Sequence, residues 1–193
     1  MNLILIGMRG TGKTSIGRRV AMRLRRRFFD TDQLIEEELG EPLSRYVDRR
    51  GWEPFREVEH QVICRVARQR DAVISTGGGA LTYARNVDAL KPSGLVVLLA
   101  ADPLTLSRRL QRSYARPPLT AERSLEAEMC SLWRQREPLY RGVCDVVLDV
   151  APETDDEEAD LQAKVSSFIA LVQPYLVHEV DHASCGRGPY NGP

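Results

Sequence analysis

The sequence predicts an α/β fold in three layers, a doubly wound parallel sheet covered by helices on both faces. Five short apolar runs, at 3–6, 28–29, 72–74, 95–99 and 146–148, are each followed by a longer stretch, helical in period after most of them. A glycine-rich loop leaves the first run and opens a helix. The 193 residues, 42% hydrophobic and 28% charged, suffice for one well-buried domain.

Run 3–6 is too short for a membrane span and reads as the first strand, with a helix over 13–26 behind the loop. Phe28-Phe29 gives the second strand, and a helix follows over 32–39. A helix over 54–69 precedes the strand at 72–74, which runs on into Ser75-Thr76-Gly77-Gly78-Gly79-Ala80. Three adjacent glycines give up side-chain contacts and backbone entropy, so something must need that bare backbone. After the strand at 95–99 and a helix over 102–110, residues 112–124 place tandem prolines among polar residues and read as a surface loop, a small lid. A helix over 125–140 and the strand at 146–148 complete a domain spanning 1–150. Residues 151–177 read as an acidic linker and a C-terminal helix, with Leu161, Val165, Phe168, Ile169 and Val172 on one face. The Gly/Pro-rich tail, 178–193, is expected to be disordered.

Lys+Arg and Asp+Glu each total 27, so no net field favours nucleic acid or an anionic membrane, and neither is expected as a partner. Arginines crowd 18–19 and 23–27 and acids crowd 155–158, patterns that solvated faces explain. Cys64, Cys130, Cys144 and Cys185 form no C-x-x-C pair, and the opening residues carry no basic leader. Reduced thiols, a cytoplasmic location and a monomer are the expectations.

Gly7-Met8-Arg9-Gly10-Thr11-Gly12-Lys13-Thr14 matches G-x-x-x-x-G-K-[ST] between a strand and a helix. In such a P-loop the glycines turn backbone N–H groups onto phosphates and the helix N-terminus adds its dipole. Lys13 then reaches the β and γ oxygens and Thr14 can hold Mg²⁺. The cradle names a nucleotide and not a reaction. The Asn-Lys-x-Asp pattern of many GTPases is missing and the chain has little room for a motor's extra modules, so a small kinase is favoured.

Phe28-Phe29-Asp30-Thr31-Asp32 ends the second strand with two carboxylates where a doubly wound sheet faces its ligand crevice. Asp30 could order a Mg²⁺ shell through water and Asp32 could take the proton of an attacking hydroxyl. Alternatively Asp32 is only the N-cap of the next helix and Asp30 a turn residue. Arg56 in FREVE, and Arg134 and Arg136 in WRQREPLY, suit surface ion pairs or a bidentate grip on a substrate carboxylate. Arg116, before Pro117-Pro118, is placed either to meet a transferring phosphoryl group under a closed lid or to sit in solvent.

Taken together, GMRGTGKT, FFDTD, FRE, STGGGA, ARPPL and REPLY, in this order and spacing over about 1–150, resemble shikimate kinase. The resemblance implies ATP and shikimate as substrates, with transfer of the γ-phosphoryl group to the 3-hydroxyl of shikimate and Mg²⁺ as cofactor. It implies that Gly10, Thr11, Gly12, Lys13, Thr14 and Ser15 hold the ATP phosphates, with Thr14 and Asp30 at the metal. By the same resemblance Asp32 meets the reacting hydroxyl, and Arg56 and Arg136 grip the shikimate carboxylate. Gly77, Gly78 and Gly79 admit the ring hydroxyls, Arg109 lies against adenine, and Arg116 in a lid over 112–124 meets the phosphates. Residues 32–60 would be the acceptor-binding helical segment. Pro118 departs from the lid pattern, which commonly continues with leucine.

Two other readings use the same loop: a kinase of another hydroxy acid such as gluconate, and a nucleotide-binding regulator without activity. The arginines and triple glycine argue against the first, and retention of Lys13, Asp32 and Arg116 against the second. His178-Glu179-Val180-Asp181-His182 matches the H-E-x-x-H zinc pair, but helix breakers follow closely and leave it no scaffold.

Overall fold

A computed structural model describes residues 1–112, 124–151 and 156–184. All five expected strands are present, each one or two residues longer than its apolar run: β1 (Asn2–Ile6), β2 (Arg27–Asp30), β3 (Ala72–Ser75), β4 (Gly94–Ala100) and β5 (Val146–Asp149). They form one parallel sheet in the order β2-β3-β1-β4-β5. β1 lies at its centre and is buried along its whole length, because helices cover both faces and leave no exposed side to alternate with.

Register brings the loops together. Asp30 stands beside Ser75, and Ser75 beside Leu5, so the chain leaves the carboxyl ends of β2, β3 and β1 at one level. That is where ligands bind in doubly wound sheets.

The helices are α1 (Lys13–Arg23), α2 (Thr31–Leu39), α3 (Leu43–Arg50), α4 (Trp52–Ala67), α5 (Ala84–Leu90), α6 (Pro103–Arg112), α7 (Leu125–Val143) and α8 (Glu157–Ser184). α1 stops short of the expected residue 26 because the chain turns at Leu24 and Arg25 takes a positive φ of 54°. The cap of α2 is Asp30, whose carboxylate accepts the N–H groups of Asp32 (3.1 Å) and Gln33 (3.4 Å); the alternative with Asp32 as cap is thereby corrected. Sequence periodicity does not announce α3 or α5. α3 contains no fully buried residue. Its Leu43, Tyr46 and Val47 lean on a satellite core of Ile35, Phe55 and Val62. Burial of each of those three is worth about 1.5–3 kcal/mol, so the helices between 31 and 67 hold together around their own centre.

The main core joins β1, β3 and β4 to α1, α7 and α8. Val165, Phe168 and Val172 of α8 are buried in it, and Leu161 and Ile169 pack at its margin, so the C-terminal helix is part of the domain. α8 continues through Pro174 to Ser184, which corrects the expectation that disorder begins at 178. The residues from 175 to 184 contain no glycine or proline, and the breakers begin only at Gly186. The lid, apart from its ends, with Arg116, and residues 152–155 and 185–193, lie outside the described residues. Cys64, Cys130 and Cys144 are free thiols. Among the described residues no helix is long and apolar enough to cross a membrane.

Candidate active site

One cleft of about 890 Å³ opens over the carboxyl ends of β1, β2 and β3. At one end lies the loop between β1 and α1. Gly12, at φ 83°, is the N-cap of α1, a backbone conformation that turns N–H groups toward the cleft without a Cβ penalty. The Lys13 ammonium is buried and donates to the carbonyls of Gly7 (2.9 Å) and Met8 (2.8 Å), so its long stem is held across the loop. Gly10, Gly12, Lys13, Thr14 and Ser15 line the cleft. The Thr11 side chain does not. It is buried, and its hydroxyl donates to the Met8 carbonyl at 2.8 Å, closing the loop from within.

Thr14 donates its hydroxyl to Asp30 Oδ2 at 2.7 Å while the other carboxylate oxygen caps α2. A hydroxyl and a carboxylate in contact beside a phosphate cradle form a hard-oxygen pair that fits Mg²⁺. Asp32, in the first turn of α2, faces the same cleft.

The glycine strip explains itself in space. A Cβ on Gly77 would lie 2.5 Å from Asp32 Oδ1, and one on Gly79 would lie 2.7 Å from Arg56 Nη2 and 3.6 Å from Arg136 Nη2. At Gly78 the neighbour is the phosphate loop itself, with the Arg9 nitrogen 3.2 Å from the Cβ position. The bare backbone therefore admits a carboxylate, a second loop and two guanidinium groups. Gly77 also donates its N–H to the Thr31 hydroxyl at 3.0 Å, tying β3 to the start of α2.

Arg56 and Arg136 converge on Gly79 from α4 and α7. Arg136 donates to the Gly78 carbonyl at 3.2 Å, which also accepts the hydroxyl of buried Tyr140. Burial pushes the Tyr140 phenol up, keeping it a donor. Arg134 is exposed and does not line the cleft. Arg56 lies over Trp52 at 5.3 Å from the ring centroid and pairs with Glu59 at 2.6 Å. Burial raises the Glu59 carboxyl above its usual range, although Arg56 pulls the other way. Arg109 sits at the phosphate-loop end of the cleft, its guanidinium 3.5 Å from the Gly10 carbonyl and bonded to the carbonyls of Val150 and Ala151 just after β5.

Sequence reasoning does not single out Glu59, Tyr140, or the pair formed by Arg9 and Glu128, both buried and 2.5 Å apart. For α7 a signal was present: Met129, Leu132, Arg136 and Tyr140 recur at spacings of three and four, which puts Arg136 on the inner face and Arg134 off it. Glu59 carries a comparable pattern, with Phe55, Val62 and Val66 of α4 at spacings of four and three around it, so its burial was legible; its pairing was not, since Arg56 and Glu59 at i, i+3 look the same on a surface helix.

A family model described as shikimate kinase matches residues 9–168. The chain belongs to the shikimate kinase family. The match runs into α8, past the 150 residues over which sequence motifs carry the likeness. A shikimate kinase of Moorella thermoacetica is 40% identical over 163 residues, 84% of this chain and 90% of the relative. Among solved structures, a shikimate kinase of Acinetobacter baumannii in complex with shikimate has a TM-score of 0.76 at 33% identity, covering 90% of this chain and 93% of that one. A shikimate kinase of Bacteroides thetaiotaomicron reaches a TM-score of 0.81 at 30% identity, covering 90% and 98%. Membership of this family answers the gluconate alternative.

Proposed function

We propose that the protein transfers the γ-phosphoryl group of ATP to the 3-hydroxyl of shikimate. The observation that carries this reading is that one cleft joins both ends of the reaction. It has a phosphate cradle at one end, the Arg56 and Arg136 guanidiniums at the other, and Asp32 on its wall. Two guanidiniums suit a carboxylate on the acceptor, and held there, the acceptor turns its ring hydroxyls toward the phosphate loop.

The loop N–H groups from Gly10 to Ser15 and the dipole of α1 bind and orient the ATP phosphates. Asp32 orients the attacking hydroxyl and accepts its proton. Lys13, already presented on the loop carbonyls, stabilises negative charge on the transferring oxygens. Thr14 and Asp30 would hold Mg²⁺ when ATP is bound, and the ion would supply further charge neutralisation. Arg109 borders the space for the base, and Arg116 serves the lid as the resemblance implies. Catalysis of this kind is mainly positioning and electrostatics.

The test is ADP release from ATP·Mg²⁺ with shikimate, with quinate, with gluconate and with no acceptor. Release dependent on shikimate is expected. Acceptor-independent release, or none, would contradict the reading.

A further inference from the structure

We propose that Asn86 is a positioning residue for the acceptor carboxylate: it acts through Glu59 on Arg56, and its own amide is oriented by His60. The proposal rests on reading Arg56 as an acceptor contact, and it goes beyond that reading to a residue on α5 with no place in the cleft lining.

Asn86 is completely buried. Its Nδ2 donates to the Ala80 carbonyl at 2.9 Å and to Glu59 Oε2 at 3.2 Å. A carbonyl and a carboxylate both accept, so the amide can face only one way, and Oδ1 meets His60 Nδ1 at 2.9 Å. Because Oδ1 has no proton to give, His60 carries its own on Nδ1. The Cys64 sulfur lies beside the same ring, 3.4 Å from Nε2 and 3.8 Å from Nδ1. Polarity runs one way along the row: imidazole to amide, amide to carboxylate. The row ends on the oxygen that also receives Arg56 Nη1 at 2.6 Å.

The same amide therefore fixes both sides of the slot that Arg56 occupies. Through Glu59 it holds the anion that anchors one guanidinium nitrogen. Through Ala80 it holds the end of the glycine strip, against which the other nitrogen lies. A guanidinium carries five N–H groups, so one anchored nitrogen leaves donors for a ligand carboxylate and removes much of the rotational freedom that binding would otherwise have to freeze.

The test is Asn86→Asp, isosteric but with an acceptor in place of the donor. At pH 8 the KM for shikimate should rise about tenfold or more, with the KM for ATP within about twofold, the scale of one lost hydrogen bond to a charged group. Two carboxylates so close share a proton, with Arg56 and His60 of α4 and Asp32 of α2 around them. Acid should thus restore a donor, and the variant's KM for shikimate should approach the wild-type value as pH falls toward 6. A purely structural defect would not recover in this way. A folded variant with wild-type KM for shikimate, or with both KM values raised in parallel, would overturn the proposal.

If Asn86→Asp does not fold, His60→Phe removes the Nδ1–H and keeps a ring against Tyr83, which it meets at 5.9 Å. A rise of about threefold in the shikimate KM alone is expected, and an unchanged value would overturn the assignment. Should wild type not use shikimate at all, the parent reading fails by itself. The positioning role is then read from the Arg56 guanidinium by NMR: slow rotation in wild type and faster rotation in Asn86→Asp support it, and equal rotation overturns it.

Discussion

Gly79→Ala isolates the acceptor end of the cleft. Gly79 has φ −102° and ψ 0°, which alanine adopts without strain, so the backbone should tolerate the change and the unfolded chain should lose a little entropy. The new methyl would stand 2.7 Å from Arg56 Nη2. Contact at van der Waals distance requires the guanidinium to retreat by about 1 Å. A shift of that size stretches a 2.8–2.9 Å charged hydrogen bond to about 3.8 Å, beyond hydrogen-bonding range. Loss of one such bond to the acceptor carboxylate is worth about 1.5–3 kcal/mol. That corresponds to a fall of about 10- to 150-fold in kcat/KM for shikimate. The assay is coupled ADP release with each substrate varied in turn, alongside a thermal melt. Unchanged kcat/KM for shikimate at wild-type Tm would refute the placement of Arg56, and a raised ATP KM would point to the wrong end of the cleft.

Lys13→Ala should reduce kcat by at least about a hundredfold and leave shikimate binding by titration near wild type; unchanged kcat would remove Lys13 from the phosphate cradle. Glu128→Ala removes the buried carboxylate that meets Arg9, and is expected to lose about 3 kcal/mol and roughly 10 °C in Tm; a shift under about 2 °C would show the pair to be solvated. Glu59 has a folded-state pKa raised above the usual 4.5, so its contribution to stability is full below that value and is lost as pH rises through the raised value. Glu59→Gln should therefore gain stability relative to wild type as pH climbs toward neutrality, while its shikimate KM rises; a stability difference independent of pH would contradict this sign.

Features set by neighbours in sequence were legible from sequence. The strands and the phosphate loop are written in contiguous residues, so their existence and the level of Asp30 and Gly77 above the sheet follow once the strands are parallel. α3 was not legible because Leu43, Tyr46 and Val47 are held by Ile35, Phe55 and Val62 on other helices, and its own charge pattern suggests a solvated segment. Glu59 and Asn86 escaped for the same reason. Their roles depend on partners 26 and 27 residues apart in the chain, His60 to Asn86 and Glu59 to Asn86. α8 runs beyond its apolar face to Ser184 because the glycines and prolines of the tail begin only at Gly186.

The most direct measurement is ³¹P and ¹H NMR of the product formed from ATP·Mg²⁺ and shikimate by the wild-type chain, with Arg136→Ala in parallel. The account predicts a phosphate monoester whose phosphorus couples to H3 of the ring, formed far more slowly by the variant at low shikimate. Inorganic phosphate as the sole product, an ester on another hydroxyl, or equal rates for the two proteins would contradict it.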